Sequence, residues 1–145
     1  MTDQEADGPG LRAYCAYLEA LTPERLADLG DFVDESVYFK DPFNDCHGLT
    51  AMKRVLEHMY KTLDGVRFSV QSIVPGDPDS FIAWRFESAW RGRPIEFDGA
   101  SLLSFTPQGL VSRHIDYWDA ASNLYEKMPI IGAPLAFLRR RAAVN

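Results

Sequence analysis

The sequence predicts an α+β domain, with three N-terminal helices packed on one face of a curved, mainly antiparallel sheet. Two observations predict it. Apolar residues recur at helical spacing as far as Leu63, and from Val66 onward they fall in long stretches joined by short turns containing Pro and Gly. Helices first and strands afterwards is the order of an α+β layer, whereas a parallel sheet would interleave them.

The first helix is expected from Pro9 to Leu21, where apolar residues stand at 11, 14, 15, 18 and 21. Thr22-Pro23-Glu24-Arg25 starts a second, with Thr22 as cap and Pro23 in the first turn, running to Phe32. Ser36 to Lys40 reads as a short strand that stops on Asp41, because Pro42 cannot continue a central ladder. A loop over 41–48 leads to a third helix from Thr50 to Leu63, burying Met52, Val55, Leu56, Met59 and Tyr60, with Gly65 ending it. Strands follow at 66–74, 81–91, 93–105 and 110–118, and their short connections predict an antiparallel meander.

Strand alternation assigns the faces. Ile82, Trp84, Phe86 and Trp90 share one side, as do Phe97, Gly99, Ser101, Leu103 and Phe105 on the next strand. On the last strand Val111, Ile115 and Tyr117 oppose Leu110, His114, Asp116 and Trp118. A sheet apolar on both sides needs a second cover, so a homodimer through the outer face is expected.

Bulk properties exclude several classes. A net charge of −6 argues against nucleic acid as main partner, since phosphate binding needs a basic face. No apolar run is long enough for a membrane span, and the acidic start MTDQEADGPG is unlike a signal peptide. Cys15 and Cys46 fit no metal or disulfide pattern, so a reducing, cytoplasmic home is expected. Residues 1–8 read as a disordered lead, 9–121 as the domain and 122–145 as a basic tail. That tail carries Lys127, Arg139, Arg140 and Arg141 against Glu126 alone, and reads either as a lid or anionic-surface anchor, or as a strap or partner contact.

Three segments carry a resemblance: CAYLEALT in the first helix, VYFKDPFND with the following HG, and LLSFTPQGLVSRHIDYWD near the end. In these the chain resembles the nuclear transport factor 2-like superfamily of cone-shaped α+β domains. Within it the likeness is to ketosteroid isomerase and the SnoaL-like polyketide cyclases. The resemblance implies a cofactor-independent isomerase or cyclase acting on a mid-sized hydrophobic carbonyl compound. It places Asp41 on the isomerase's proton-shuttling base and Tyr17 on the helix tyrosine that donates to the steroid oxyanion. Where the isomerase has a second donor, a protonated aspartic acid, this chain has Ser101, which can donate one hydrogen bond but is not a tuned neutral acid. Asp116 is nearer the cyclase pattern, in which a carboxylate from this last strand transfers the proton.

The residues themselves support several roles. Asp41, flanked by Phe39 and Phe43, is poorly solvated as an anion, which suits a general base; alternatively it caps the turn before Pro42. His114 and Asp116 stand two apart on a strand and point to the same side, as an acid–base pair or as a structural pair at the rim. Tyr14 and Tyr17 are both on the first helix, and the resemblance selects Tyr17. Phe43, Trp84, Phe86, Phe97, Leu103 and Trp118 are the expected pocket walls. His47, His58 and His114 lack metal-ligand spacing, and no glycine-rich loop or nucleophile elbow is present, so a cofactor-free, metal-free pocket is expected. The alternative is a non-catalytic small-molecule-binding or dimer-scaffold module of the same fold. The two readings differ in whether Asp41, Asp116 and Tyr17 converge on one void.

Overall fold

The computed structural model of the protein describes residues 10–125. The expected lead 1–8, and the tail after Tyr125, lie outside the described residues. Helix α1 spans Leu11–Glu19 and buries Leu11, Tyr14, Cys15 and Tyr17. The second helix is a 3₁₀ helix, Glu24–Asp31, and not an α-helix. Its two buried leucines, Leu26 and Leu29, stand three apart and therefore stack on one side at three residues per turn. The Thr22 hydroxyl accepts the Arg25 N–H at 3.2 Å, the cap anticipated from the sequence. Helix α2 spans Leu49–Thr62 and buries Met52 and Leu56.

The strands are β1 (Val33–Lys40), β2 (Asp45–His47), β3 (Asp64–Val74), β4 (Asp79–Trp90), β5 (Arg93–Phe105) and β6 (Val111–Tyr117). They form one sheet in the order β2-β1-β6-β5-β4-β3. The last four make the expected antiparallel meander, while β1 lies parallel to β6. Trp90 pairs with Arg93 across a two-residue turn in which Arg91 and Gly92 have φ of 48° and 78°. Two positive angles match the right-handed strand twist, and glycine takes its share without a Cβ clash.

Two strand readings need correction. The segment 41–48 is a hairpin and not a plain loop: β2 pairs with β1, Lys40 opposite Asp45 and Tyr38 opposite His47. An edge strand of three residues is too short to show alternation. Val111 does not face outward with Ile115 and Tyr117. It is fully buried in the core, because the β5–β6 register shifts between Ser104 and Phe105, pairing Ser104 with Arg113 and Phe105 with Val111. The extra residue turns the start of β6 over.

The concave face carries Ile82, Trp84 and Phe86 of β4 and Ile95, Phe97 and Leu103 of β5, packed against Leu11, Tyr14, Met52 and Leu56 of the helices. On the opposite face Val74, Phe81 and Tyr117 remain 59%, 46% and 56% exposed, whereas Ile115, expected to face outward beside Tyr117, is buried at 7%. Among the described residues no helix is long and apolar enough to cross a membrane.

Candidate functional site

Register brings the polar residues together. Ser101 on β5 lies directly opposite Asp116 on β6, and His114 lies opposite Leu103 and beside Phe39 of β1. Because side chains alternate, His114 and Asp116 both point to the concave side. Tyr14 reaches them from α1, its place on the helix fixed by the stripe of apolar residues that faces the sheet.

These groups form one hydrogen-bonded chain. Trp84 Nε1 donates to Ser101 Oγ at 2.8 Å, and Ser101 Oγ donates to Asp116 Oδ1 at 2.5 Å. His114 Nε2 lies 2.6 Å from the same oxygen, and Tyr14 Oη lies 2.7 Å from His114 Nδ1. An ionised carboxylate only accepts, so His114 Nε2–H donates to it, and in the neutral imidazole Nδ1 accepts from the Tyr14 hydroxyl. Burial first, and then the charge of Asp116, hold the Tyr14 phenol well above its ordinary pKa, so it remains a neutral donor. Both bonds to Asp116 end on Oδ1. Among the described residues none donates to Oδ2.

The chain borders a cavity of about 30 Å³ lined by Tyr14, Ser101, His114, Asp116 and Trp84, with Leu18, Leu21, Phe39, Met52, Leu56, Phe68 and Val70 as apolar wall. That volume accommodates one water molecule. Next to it the rings of Phe86, Phe97 and Trp118 stack in series, with centroids 4.8 Å and 4.4 Å apart, and Phe43 meets Trp118 edge-on at 5.4 Å. Among the expected pocket walls, then, Trp84 lines the cavity. Phe43, Phe86, Phe97 and Trp118 form an aromatic array behind it, and Leu103 is fully buried in the core.

Asp41 and Tyr17 are placed elsewhere. Asp41 Oδ1 accepts the Phe43 and Asn44 backbone N–H groups at 2.8 and 2.7 Å, and the Asn44 side-chain amide bonds both of its oxygens. It closes the turn between β1 and β2. Burial raises its carboxyl above the ordinary value, these bonds pull it down, and the nearby charge of Asp116 adds a smaller upward push. Tyr17 donates to the Arg25 backbone carbonyl at 2.7 Å and stacks on Phe32, with burial pushing its phenol up to about 12. Asp41, Asp116 and Tyr17 therefore do not converge on one void. The tyrosine bonded to His114 at this site is Tyr14; Tyr17 is buried as well, so burial on the helix does not separate the two, and only the hydrogen-bond partners do. Among the described residues no three His, Cys, Asp or Glu side chains gather as a metal site.

A family model, that of the SnoaL-like domain, matches residues 14–114. The chain belongs to the SnoaL-like domain family. Its fold is that of the nuclear transport factor 2-like proteins. A protein of Catenulispora acidiphila with a ketosteroid isomerase-like fold, solved with trimethylamine, is 16% identical, with a TM-score of 0.68 over 81% of this chain and 90% of that one. A Mycobacterium tuberculosis epoxide hydrolase described as LEH-like is 15% identical, with a TM-score of 0.67 over 86% and 93%. TerC, co-crystallised with polyporic acid, is 16% identical, with a TM-score of 0.69 over 81% and 93%. None of the curated proteins compared with the chain matches it. At these identities the likeness is one of fold, and the chemistry has to come from the site of this SnoaL-like domain itself.

Proposed function

We propose that this SnoaL-like domain is a cofactor-independent acid–base catalyst, isomerase- or cyclase-like, acting on a hydrophobic carbonyl compound. Asp116 is the proton acceptor. The observation that carries the reading is the placement of both donors on Asp116 Oδ1 at the edge of an apolar cavity, with no donor to Oδ2 among the described residues. When Oδ2 takes a proton from carbon next to a carbonyl, Oδ1 becomes the carbonyl oxygen of a neutral acid and keeps accepting from Ser101 and His114. The base changes state without rearranging its surroundings, which is what preorganisation contributes to a proton transfer. Tyr14, His114 and Ser101 hold the acceptor in place. Asp41 and Tyr17, occupied by backbone partners, have structural roles in this reading.

Exchange of the α-protons of small apolar ketones for deuterium tests it, because exchange reports proton abstraction whatever the later steps. The parent protein should accelerate exchange from at least one member of a panel of cyclic and aryl ketones in D₂O. Exchange at the buffer rate for every member would count against it.

The small cavity favours a second reading, a binding or dimer-scaffold module whose interior is filled by its own side chains. In that case apolar ligands bind without exchange, and Asp116→Asn binds them as the parent does. In either case a second copy of the chain covers the outer sheet face. Across the sheet Val74, Phe81 and Leu102 are successive register partners, and Val74, Phe81 and Tyr117 are exposed on this face. Cys15 and Cys46 form no disulfide with each other, which suits the cytoplasm.

A further inference from the structure

Glycine weakens the middle of a strand, and in a sheet it commonly marks a place where something approaches the backbone closely. Gly99 sits mid-strand in β5, directly opposite Trp84. A Cβ at position 99 would lie 2.4 Å from Trp84 Cη2, 2.6 Å from Cζ2 and 2.9 Å from Cζ3, so the indole rests on the bare backbone of Gly99. Phe68 and Phe97 flank the same ring at centroid distances of 5.7 and 6.0 Å. Held this way, Trp84 directs Nε1 at Ser101, two residues along from its seat.

The indole N–H is a donor with no acceptor lone pair, and an ionised carboxylate is an acceptor with no proton. Ser101 lies between the two. Its oxygen accepts a hydrogen bond from the Trp84 N–H, and its own hydroxyl donates to Asp116 Oδ1. A buried tryptophan needs some acceptor, and any carbonyl would do; here the acceptor is the hydroxyl that binds the site's carboxylate. Accepting from Trp84 also polarises the Ser101 hydroxyl and makes it the stronger donor.

We propose that Trp84, seated on Gly99, is a positioning residue for the acid–base site: through Ser101 it fixes which oxygen of Asp116 is occupied and leaves Oδ2 to react. The inference rests on Asp116 as the proton acceptor, the role proposed above. In this role Trp84 acts through Ser101 and not on the reacting atoms.

Proton NMR of the full chain tests it without any substrate. The His114 Nε2–H, bonded to Asp116 at 2.6 Å, should give a far-downfield exchangeable resonance. In Trp84→Phe, which keeps an aromatic ring and removes the N–H, that resonance should shift or broaden away. Gly99→Ala should reproduce the change with the indole still present, because the added methyl displaces the ring. Ser101→Ala should move both the His114 signal and the Trp84 indole N–H signal, and adding Trp84→Phe to it should cause no further shift at His114. An unchanged His114 signal in Trp84→Phe overturns the proposal. So does an equal shift with or without the Ser101 hydroxyl, which would mean that Trp84 acts by packing alone. Should Trp84→Phe fail to fold, Ser101→Ala decides: an indole signal that moves while the His114 signal stays still overturns the coupling. A silent ketone-exchange assay would remove the acid–base reading and leave these resonances to report on the hydrogen-bonded chain.

Discussion

His114 Nε2 lies 2.6 Å from Asp116 Oδ1, a bond between residues two apart on one strand, buried under the first helix. Both side chains point to the concave face, and Ser101 stands opposite and shares the same oxygen. The expectations below follow from what each partner in this arrangement can and cannot do.

Removing the Tyr14 hydroxyl leaves His114 Nδ1 buried without a donor. Tyr14→Phe should therefore cost about 1 to 3 kcal/mol of stability and perturb the His114 ring resonances. Tyr17→Phe loses only a bond to the Arg25 carbonyl and keeps its stacking on Phe32. Its cost should be about 1 kcal/mol, with the His114 signals unmoved. Denaturant melts and imidazole NMR on the two variants check both halves; identical His114 spectra in the two would undo the assignment of Tyr14.

Asp41 carries a pH signature. Burial raises its folded-state carboxyl above the unfolded value, so ionising it costs the folded protein more than the unfolded chain. Asp41→Asn keeps an oxygen for the Phe43 and Asn44 backbone N–H groups and cannot ionise. The parent's stability relative to this variant should be greatest below the ordinary carboxylate pKa. It should fall as pH rises from there through the raised folded value, then level off. Melting temperatures of both proteins from about pH 3 to about pH 7 would show it. A difference that stays flat, or that moves in the parent's favour as pH rises, speaks against a buried, reluctant anion.

The apolar patch of exposed Val74, Phe81 and Tyr117 predicts self-association. Phe81→Glu places a charge in the middle of it, between the register partners Val74 and Leu102, and should shift a dimeric parent to monomer. Light scattering at tens of micromolar reads the masses. A parent already monomeric there would refute the dimer.

A cavity of about 30 Å³ holds a water and not a mid-sized ligand. Leu56→Ala should enlarge it from the α2 side at a cost of about 2 to 5 kcal/mol, and apolar ketones should then raise the variant's melting temperature more than the parent's. Equal stabilisation of the two would place the binding site elsewhere.

The layer order and the four-stranded meander of this SnoaL-like domain were legible in the sequence because each rests on local periodicity and turn chemistry. By contrast, β1 begins at Val33, three residues before the expected start, and β2 falls within the expected loop. That His114 and Asp116 share a side was legible from alternation, but which side is concave and that Ser101 stands opposite Asp116 needed the register. What failed needed information from across the sheet. Val111 was misassigned because a bulge is a relation between two strands, and β6 alone reads as unbroken alternation. Asp41 beside Pro42 reads equally as base or cap, and only the positions of the Phe43 and Asn44 N–H groups distinguish them. The hydrogen bond from Trp84 to Ser101 joins residues on neighbouring strands across a diagonal, a contact that no single-strand pattern encodes.

The central claim is that Asp116, and not Asp41, takes the proton. The direct test is the rate of α-proton exchange from a responding ketone, measured side by side in Asp116→Asn and Asp41→Asn. Both substitutions keep side-chain shape and remove one proton acceptor. The account predicts that Asp116→Asn loses about 10²-fold or more while Asp41→Asn stays within a few-fold of the parent. A collapsed rate in Asp41→Asn with Asp116→Asn near the parent would contradict it.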